Sequence, residues 1–248
     1  VPPYTVPLNP AQPDGSNSLD DGDARISACV YEVGGVLYAA HSTQLGNLAV
    51  LRWYRIDPTQ QTVLESGTIS DPVKDLYYPS IAANAAGTVV IGFNGSGPST
   101  FPSSYAVVGN TVNGVTTFGK PVLLASGSTS YQNADTSGIS RWGDYSSLSV
   151  DPSDPTRFWT IQEIATGASV WSTRVTEILT ADPHLFISGT STNVSVSWSG
   201  SFLSLQATDH LSSPSWTGVS SGLSTNLGLV TAQLPLSPSP RFFRLKSP

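Results

Sequence analysis

Along much of this chain apolar and polar residues alternate in short runs, and Gly, Pro, Asn or Asp closes most of the runs. Alternation with a period of two puts successive side chains on opposite faces of an extended backbone, so each run predicts a strand with one buried face. Three hairpins align: residues 25–31 with 36–40 across a Gly34-Gly35 turn, 78–84 with 89–93, and 145–151 with 158–161. Ser27, Ser80 and Ser147 share one register position, followed by Ala28, Ile81 and Leu148. Two more strand-like runs follow each hairpin: 49–56 and 62–69, 104–108 and 114–124, 169–173 and 175–179. Four strands per unit, recurring every roughly 50–65 residues, is the pattern of β-propeller blades. Small residues (Ala28, Cys29, Ala82, Ala83, Ser149) suit crowded innermost strands, and bulky ones (Tyr38, Ile91, Trp159) suit the second strands. The alternative is three unrelated hairpins in a sandwich.

Three blades do not close a ring, which takes about 4–8. The expectation is therefore the C-terminal part of a longer precursor, or a chain that pairs with another copy. Further on, Val194-Ser195-Val196-Ser197-Trp198 alternates like a sandwich strand. The resulting division is residues 1–182 as partial propeller and 183–248 as a small Ig-like β-sandwich, with the boundary at Asp182-Pro183.

Composition supports an all-β fold. Hydrophobic residues make up 39% of the chain, enough for a core, while charged residues are only 11%, and 22 Gly and 19 Pro fit many tight turns. No long Ala/Leu/Glu/Lys stretch suggests a helix. A net charge of -6 and three lysines (Lys74, Lys120, Lys246) argue against nucleic acid and anionic membranes. No apolar run approaches the roughly 20 residues of a membrane span. The chain contains no Met, so Val1 reads as a processed end or a boundary, and the whole reads as an exported, extracellular protein. Cys29 is the one cysteine, so it forms no intramolecular disulfide. It reads as a small buried strand residue; the alternative, a nucleophilic thiol, has no histidine close in sequence.

Several motifs resemble a group of secreted bacterial propeller proteins over roughly residues 10–175. They are Asp20-Asp21-Gly22-Asp23-Ala24-Arg25, Tyr78-Pro79-Ser80-Ile81-Ala82, Arg141-Trp142-Gly143-Asp144-Tyr145-Ser146, Ser149-Val150-Asp151-Pro152-Ser153-Asp154-Pro155 and Phe158-Trp159-Thr160-Ile161-Gln162-Glu163. This resemblance implies fold and export rather than a reaction. More loosely, the chain is similar to sialidase-like propellers with repeated Asp boxes. Ser149 and Asp151 fit that box, but Pro152, Ser153 and Asp154 replace its glycine-bearing turn, which speaks against sialidase activity. The motifs at 203–208, 211–216 and 241–245 resemble a C-terminal accessory module of exported bacterial proteins.

Candidate sites gather in loops. Asp20, Asp21 and Asp23 form an oxygen-rich turn that suits Ca²⁺ without the EF-hand order; a solvated acidic turn is the alternative. Arg25, Tyr78, Arg141, Trp142, Asp144 and Tyr145 stand just before innermost strands, at the channel mouth of a propeller. Aromatic stacking with Arg/Asp hydrogen bonds suits a glycan there; buried ion pairs that lock blades together are the alternative. Glu163 joins these as a ligand-binding candidate, and with Asp144 it would give an acid/base couple if their carboxyls lay about 5–10 Å apart. His41, His184 and His210 are scattered, and no Walker lysine or Gly-x-Ser-x-Gly elbow appears. The reading is a non-catalytic extracellular protein that binds a glycan or protein, or assembles. The alternative is a glycan-acting hydrolase completed by another chain.

Overall fold

The computed structural model describes residues 3–21, 24–143, 146–180, 185–199, 203–226 and 229–246. These are strand, turn and coil apart from a 3-10 turn at Pro13–Gly15, and among them no helix is long and apolar enough to cross a membrane. The chain divides into two compact units, Val1–Ile178 and Leu179–Pro248; the Asp182-Pro183 step lies outside the described residues.

In the first unit, β1 (Tyr31–Val33), β2 (Val36–Leu45), β3 (Leu48–Asp57) and β4 (Thr62–Ile69) pair in chain order as an antiparallel sheet. So do β5 (Asp75–Ala83), β6 (Thr88–Gly97), β7 (Thr100–Val112) and β8 (Val115–Phe118), and β9 (Val122–Ala125) returns to pair with β7. A third sheet holds β10 (Ser147–Val150), β11 (Arg157–Gly167) and β12 (Val170–Leu179). Among the described residues the sheets form neither a closed barrel nor a closed ring of blades.

Three expectations are corrected. The sheets contain four, five and three strands rather than four each. Residues 114–124 split at Gly119-Lys120-Pro121 into β8 and β9, whereas 169–173 and 175–179 run on as the one strand β12, because Arg174 between them introduces no turn. The first innermost strand is also much shorter than residues 25–31, so Ser27 lies in no strand and Cys29 is exposed rather than buried. The Gly34-Gly35 turn forms as the sequence suggests, both residues at positive φ and Val33 opposite Val36, as a two-residue hairpin demands. Further along β2 the N-terminal segment takes the strand's edge: the Thr5 carbonyl accepts the Gln44 N–H and the Thr43 hydroxyl, both at 3.1 Å.

The middle sheet is covered on both faces. Ile81, Ala83, Val89, Ile91 and Phe93 pack against Tyr38, Ala40, Leu51 and Trp53 of the first sheet. Ala82, Val90 and Ala106 pack against Leu148, Phe158 and Ile178 of the third. Every residue of β5 and β6 is therefore buried. Two faces covered at once explain why these strands are so short of charge, with Asp75 as the one carboxylate.

A bulge sets the phase of β5. Tyr77 pairs with Asn94 and Ser80 with Gly92, so two residues stand opposite one and Leu76 shares a face with Ile81. Tyr78, in the bulge, takes φ +49°, a left-handed conformation uncommon outside glycine and asparagine.

Polar bonds join the first two sheets. Glu65 on β4 accepts the Thr116 N–H and the Thr116 hydroxyl, each at 2.7 Å, and Arg55 at 3.0 Å. Burial alone would raise its pKa, but these donors outweigh it and hold the carboxyl below the usual glutamate range. A carboxyl whose pKa is lower in the folded chain than in the unfolded one contributes stability above the ordinary glutamate pKa, and loses it as pH falls through the lowered one. Replacing Glu65 with Gln is expected to cost about 1–3 kcal/mol near neutrality. In urea melts, the gap from the wild type should shrink below about pH 4. A gap unchanged by acid would show that the carboxylate charge plays no part.

In the second unit, β13 (Phe186–Gly189), β14 (Asn193–Ser199), β18 (Leu229–Pro235) and β17 (Leu223–Asn226) pair in that order, as do β16 (Thr217–Gly218), β15 (Ser204–Thr208) and β19 (Phe242–Lys246). The two antiparallel sheets share one core of Val196, Trp198, Leu205, Val230, Ala232 and Leu234. The alternation of β14 thus buries Val196 and Trp198 together.

Candidate functional site

Two stretches distant in sequence meet at one short parallel bridge. The Asp20 N–H donates to the Ser140 carbonyl at 2.8 Å and the Ser140 N–H to that of Ser18 at 2.9 Å, which pairs Leu19 with Ser140. Asp20 and Arg141 are thereby brought into an ion pair of 3.9 Å, with 61% of the Arg141 side chain exposed. An exposed pair at that distance stabilises little.

The neighbouring aromatics turn inward. Trp142 and Tyr78 are each only 3% exposed and pack with Leu19, Tyr77, Tyr131 and Ala165. The Trp142 indole stands edge-on to Tyr131 at 5.2 Å, and its Nε1 donates to Asn94 Oδ1 at 3.4 Å. Tyr78 ties three segments together: its N–H donates to Ser42 Oγ, its hydroxyl to the Asp20 carbonyl, and its carbonyl accepts the Ser146 hydroxyl. It sits inside β5 rather than before it, because that strand begins at Asp75. Stacking on a sugar is therefore not open to either ring; both hold the loops that carry Asp20 and Arg141.

Glu163 on β11 accepts the Gly143 N–H at 2.9 Å, which fixes the backbone just after Trp142. Asn94 Nδ2 donates to the Glu163 carbonyl at 2.6 Å. Asp144 and Tyr145 lie outside the described residues, so the Asp144–Glu163 couple has one described member. Asp23 is likewise outside them. Asp20 faces Arg141 and Asp21 is buried. Among the described residues, no group of three His, Cys, Asp or Glu is arranged to hold a metal ion.

Arg25 belongs to a second location. It lines a pocket of about 370 Å³ with Tyr4, Ala24, Ile26, His41, Tyr54, Ile56 and Val63. Across β2 and β3, His41 stands beside Tyr54: the rings stack with centroids 5.6 Å apart, and His41 Nε2 and the Tyr54 hydroxyl share a 2.9 Å hydrogen bond. Tyr4 meets His41 edge-on at 5.2 Å. Burial holds His41 below the ordinary histidine range, with the Ala24 backbone opposing and the Arg52 charge reinforcing the shift, so the ring is neutral at pH 7.

Asn94, Tyr131, Tyr4, His41 and Tyr54 belong to no motif that sequence reading singled out. Each gains its role from contacts between distant segments, and a conspicuous local spacing exists for none of them. No protein-family model, curated protein or solved structure matches this chain.

Proposed function

We propose that this is an extracellular, non-catalytic binding and assembly protein. Its first three sheets are propeller-type blades, the third of which receives a further sheet on its open face. The loops around Asp20 and Arg141 meet a glycan or protein partner, and the second unit is an accessory sandwich.

What carries this reading is the outer face of the third sheet. Ser80 pairs with Gly92 and Ala82 with Val90 in the middle sheet, just as Ser147 pairs with Ile161 and Ser149 with Trp159 in the third. Ile81 packs back onto the first sheet as Leu148 packs back onto the second, so the positions correspond. In the middle sheet the face bearing Ala82 and Val90 is covered by the next sheet. The corresponding face of the third sheet carries Trp159, 37% exposed, and Ile161, 38% exposed. Alternation from the inward Ile178 puts Val175 and Trp171 on that side too, each more than half exposed. Asp151 fixes Trp159 on this face by accepting its Nε1–H at 2.9 Å.

An apolar sheet face of this kind marks an interaction surface, and the equivalent face one sheet earlier is covered by an antiparallel sheet. A second copy of the chain supplies such a sheet in the simplest assembly. Native mass spectrometry at micromolar concentration is expected to show multiples of 26.0 kDa. The Trp159→Ser/Trp171→Ser double variant should run as the monomer while its circular dichroism keeps the β-sheet spectrum of the wild type, since neither ring belongs to the core clusters of the first unit. A wild-type chain that stays monomeric at those concentrations removes the assembly reading.

A further inference from the structure

The open face of the third sheet has a complement within the same chain. Resting on the assembly reading above, we propose that the second copy covers this face with the outer face of its own first sheet. Trp159 and Trp171 of one copy seat in the pocket among Tyr4, Ile26, Tyr54, Ile56 and Val63 of the other. Made twice, this contact closes two copies into one ring.

Both sheet contacts inside the first unit run in one direction. The first sheet gives the face bearing Tyr38, Ala40, Leu51 and Trp53 to Ile81, Val89 and Ile91 of the second. The second gives its opposite face, bearing Ala82, Val90 and Ala106, to Leu148 and Phe158 of the third. Each sheet therefore receives the sheet before it on one face and covers the sheet after it with the other. Two faces lie outside this series. One is the giving face of the third sheet, with Trp159 and Ile161 in the places that correspond to Val90 and Gly92. The other is the receiving face of the first sheet. A contact between these two continues the series in the same direction, whereas a contact between two third sheets reverses it.

The receiving face of the first sheet is shaped to take up side chains. Because Tyr38, Ala40, Leu51 and Trp53 point into the core, His41, Tyr54 and Ile56 point the other way. Val63 stands opposite Ile56 and joins them. Tyr4 and residues 24–26 form the walls over this floor and leave a pocket of about 370 Å³. Tyr4, Ile26 and Val63 are exposed, so the pocket offers apolar surface to an incoming group. The third sheet supplies groups of the right kind: both indoles protrude, and Asp151 holds that of Trp159 in place. Fixed aromatic rings that enter apolar pockets dominate the energy of protein interfaces.

The number of sheets selects two copies. Each chain contributes three sheets, so two copies supply six and three copies nine, and only six falls within the roughly 4–8 blades of a closed ring. A contact between unlike faces that closes in this way gives a cyclic assembly, here a dimer with two identical interfaces.

Sedimentation velocity on the full chain tests the assignment of faces. The wild type is expected at twice 26.0 kDa. Ile26→Glu/Val63→Glu puts charge on the first-sheet face and should run as the monomer, as Trp159→Ser/Trp171→Ser does. An equimolar mixture of these two variants should recover a dimer, because the intact first-sheet face of one meets the intact third-sheet face of the other. With one contact left of two, its affinity should be at least about tenfold below that of the wild type. Ile26→Glu alone, at a position outside every strand, should weaken the dimer by about tenfold or more without touching any sheet pairing. First-sheet variants that dimerise as the wild type does overturn this proposal and leave the third-sheet face pairing with itself, so the assembly reading stands. A mixture that stays monomeric while both variants keep the wild-type circular dichroism also overturns it, as does an open series of larger wild-type species. A monomeric wild type instead removes the assembly reading, and this proposal with it.

Discussion

Replacing Asp75 with alanine is expected to destabilise the first unit by about 2–5 kcal/mol, the cost of leaving two backbone N–H groups without an acceptor. Asp75 is 5% exposed. One carboxylate oxygen accepts the Ala49 N–H at 2.8 Å and the other the Ala11 N–H at 3.0 Å. One side chain thus holds the N-terminal segment and the start of β3 to the middle sheet. Burial raises its pKa, and the two N–H donors only partly offset that. A raised carboxyl pKa means that the folded chain takes up this proton before the unfolded one does. This site's contribution to stability therefore falls as pH rises from the ordinary aspartate value through the raised one. The sign is opposite to that at Glu65, so in urea melts at falling pH the gap from the wild type should widen for Asp75→Ala as it narrows for Glu65→Gln. Asp75→Asn, which keeps one acceptor and turns an N–H₂ toward the other donor, should recover about half of the loss. An alanine variant as stable as the wild type would show that water replaces the carboxylate at both N–H groups.

Gly92→Ala is expected to cost about 1–3 kcal/mol through overpacking between the second and third sheets, and Gly92→Leu to disrupt that contact altogether. A Cβ at position 92 would meet Thr160 Oγ1, stand 2.8 Å from Gln162 Nε2, and come within 3.3 Å of Leu148. Thr160 and Gln162 are buried. They also bond to one another at 3.0 Å, and Thr160 Oγ1 donates to the Ser147 carbonyl at 3.2 Å. Neither side chain has solvent to retreat into, so the strain falls on the sheet contact. Thr160→Ala removes the atom in closest conflict, and the Gly92→Ala/Thr160→Ala pair should be less destabilised than the sum of the single changes. Strict additivity would place the cost in backbone freedom at position 92 and not in the contact.

Where alternation ends at unambiguous turn residues, local sequence is enough to locate a strand: residues 62–69 coincide with β4. The repeat also holds between the second and third sheets, where Ser80 and Ser147 take equivalent places. It fails at Ser27, because the edge that residues 25–31 would occupy is partly taken by Thr5, a competitor from elsewhere in the chain. Cys29 lies before β1 begins at Tyr31 and is exposed. Strand number fails where a period is counted without the turn that must accompany it, as at Arg174.

The site residues show the same division. Asp20 was legible as part of an oxygen-rich turn and Arg141 as a separate ligand-binding loop residue, but their pairing rests on the Leu19–Ser140 bridge, which no spacing announces. Trp142 and Tyr78 have the residue types of a sugar grip, and only their burial against Leu19 and Tyr131 reveals them as supports. His41 drew attention solely as an isolated histidine; its value comes from the register that sets it beside Tyr54.

The doubly covered middle sheet also imposes an order on biosynthesis. As the chain leaves the ribosome, β5 and β6 emerge with the first sheet already available to one face, yet the residues that cover the other (Leu148, Phe158 and Ile178) are still to be made. For that interval Ala82, Val90 and Ala106 present a sticky surface to any neighbouring nascent chain. Synthesis through Ile178 is what closes it, so a pause between Ala106 and Leu148 is the step at which this chain is most exposed to aggregation and to chaperone capture.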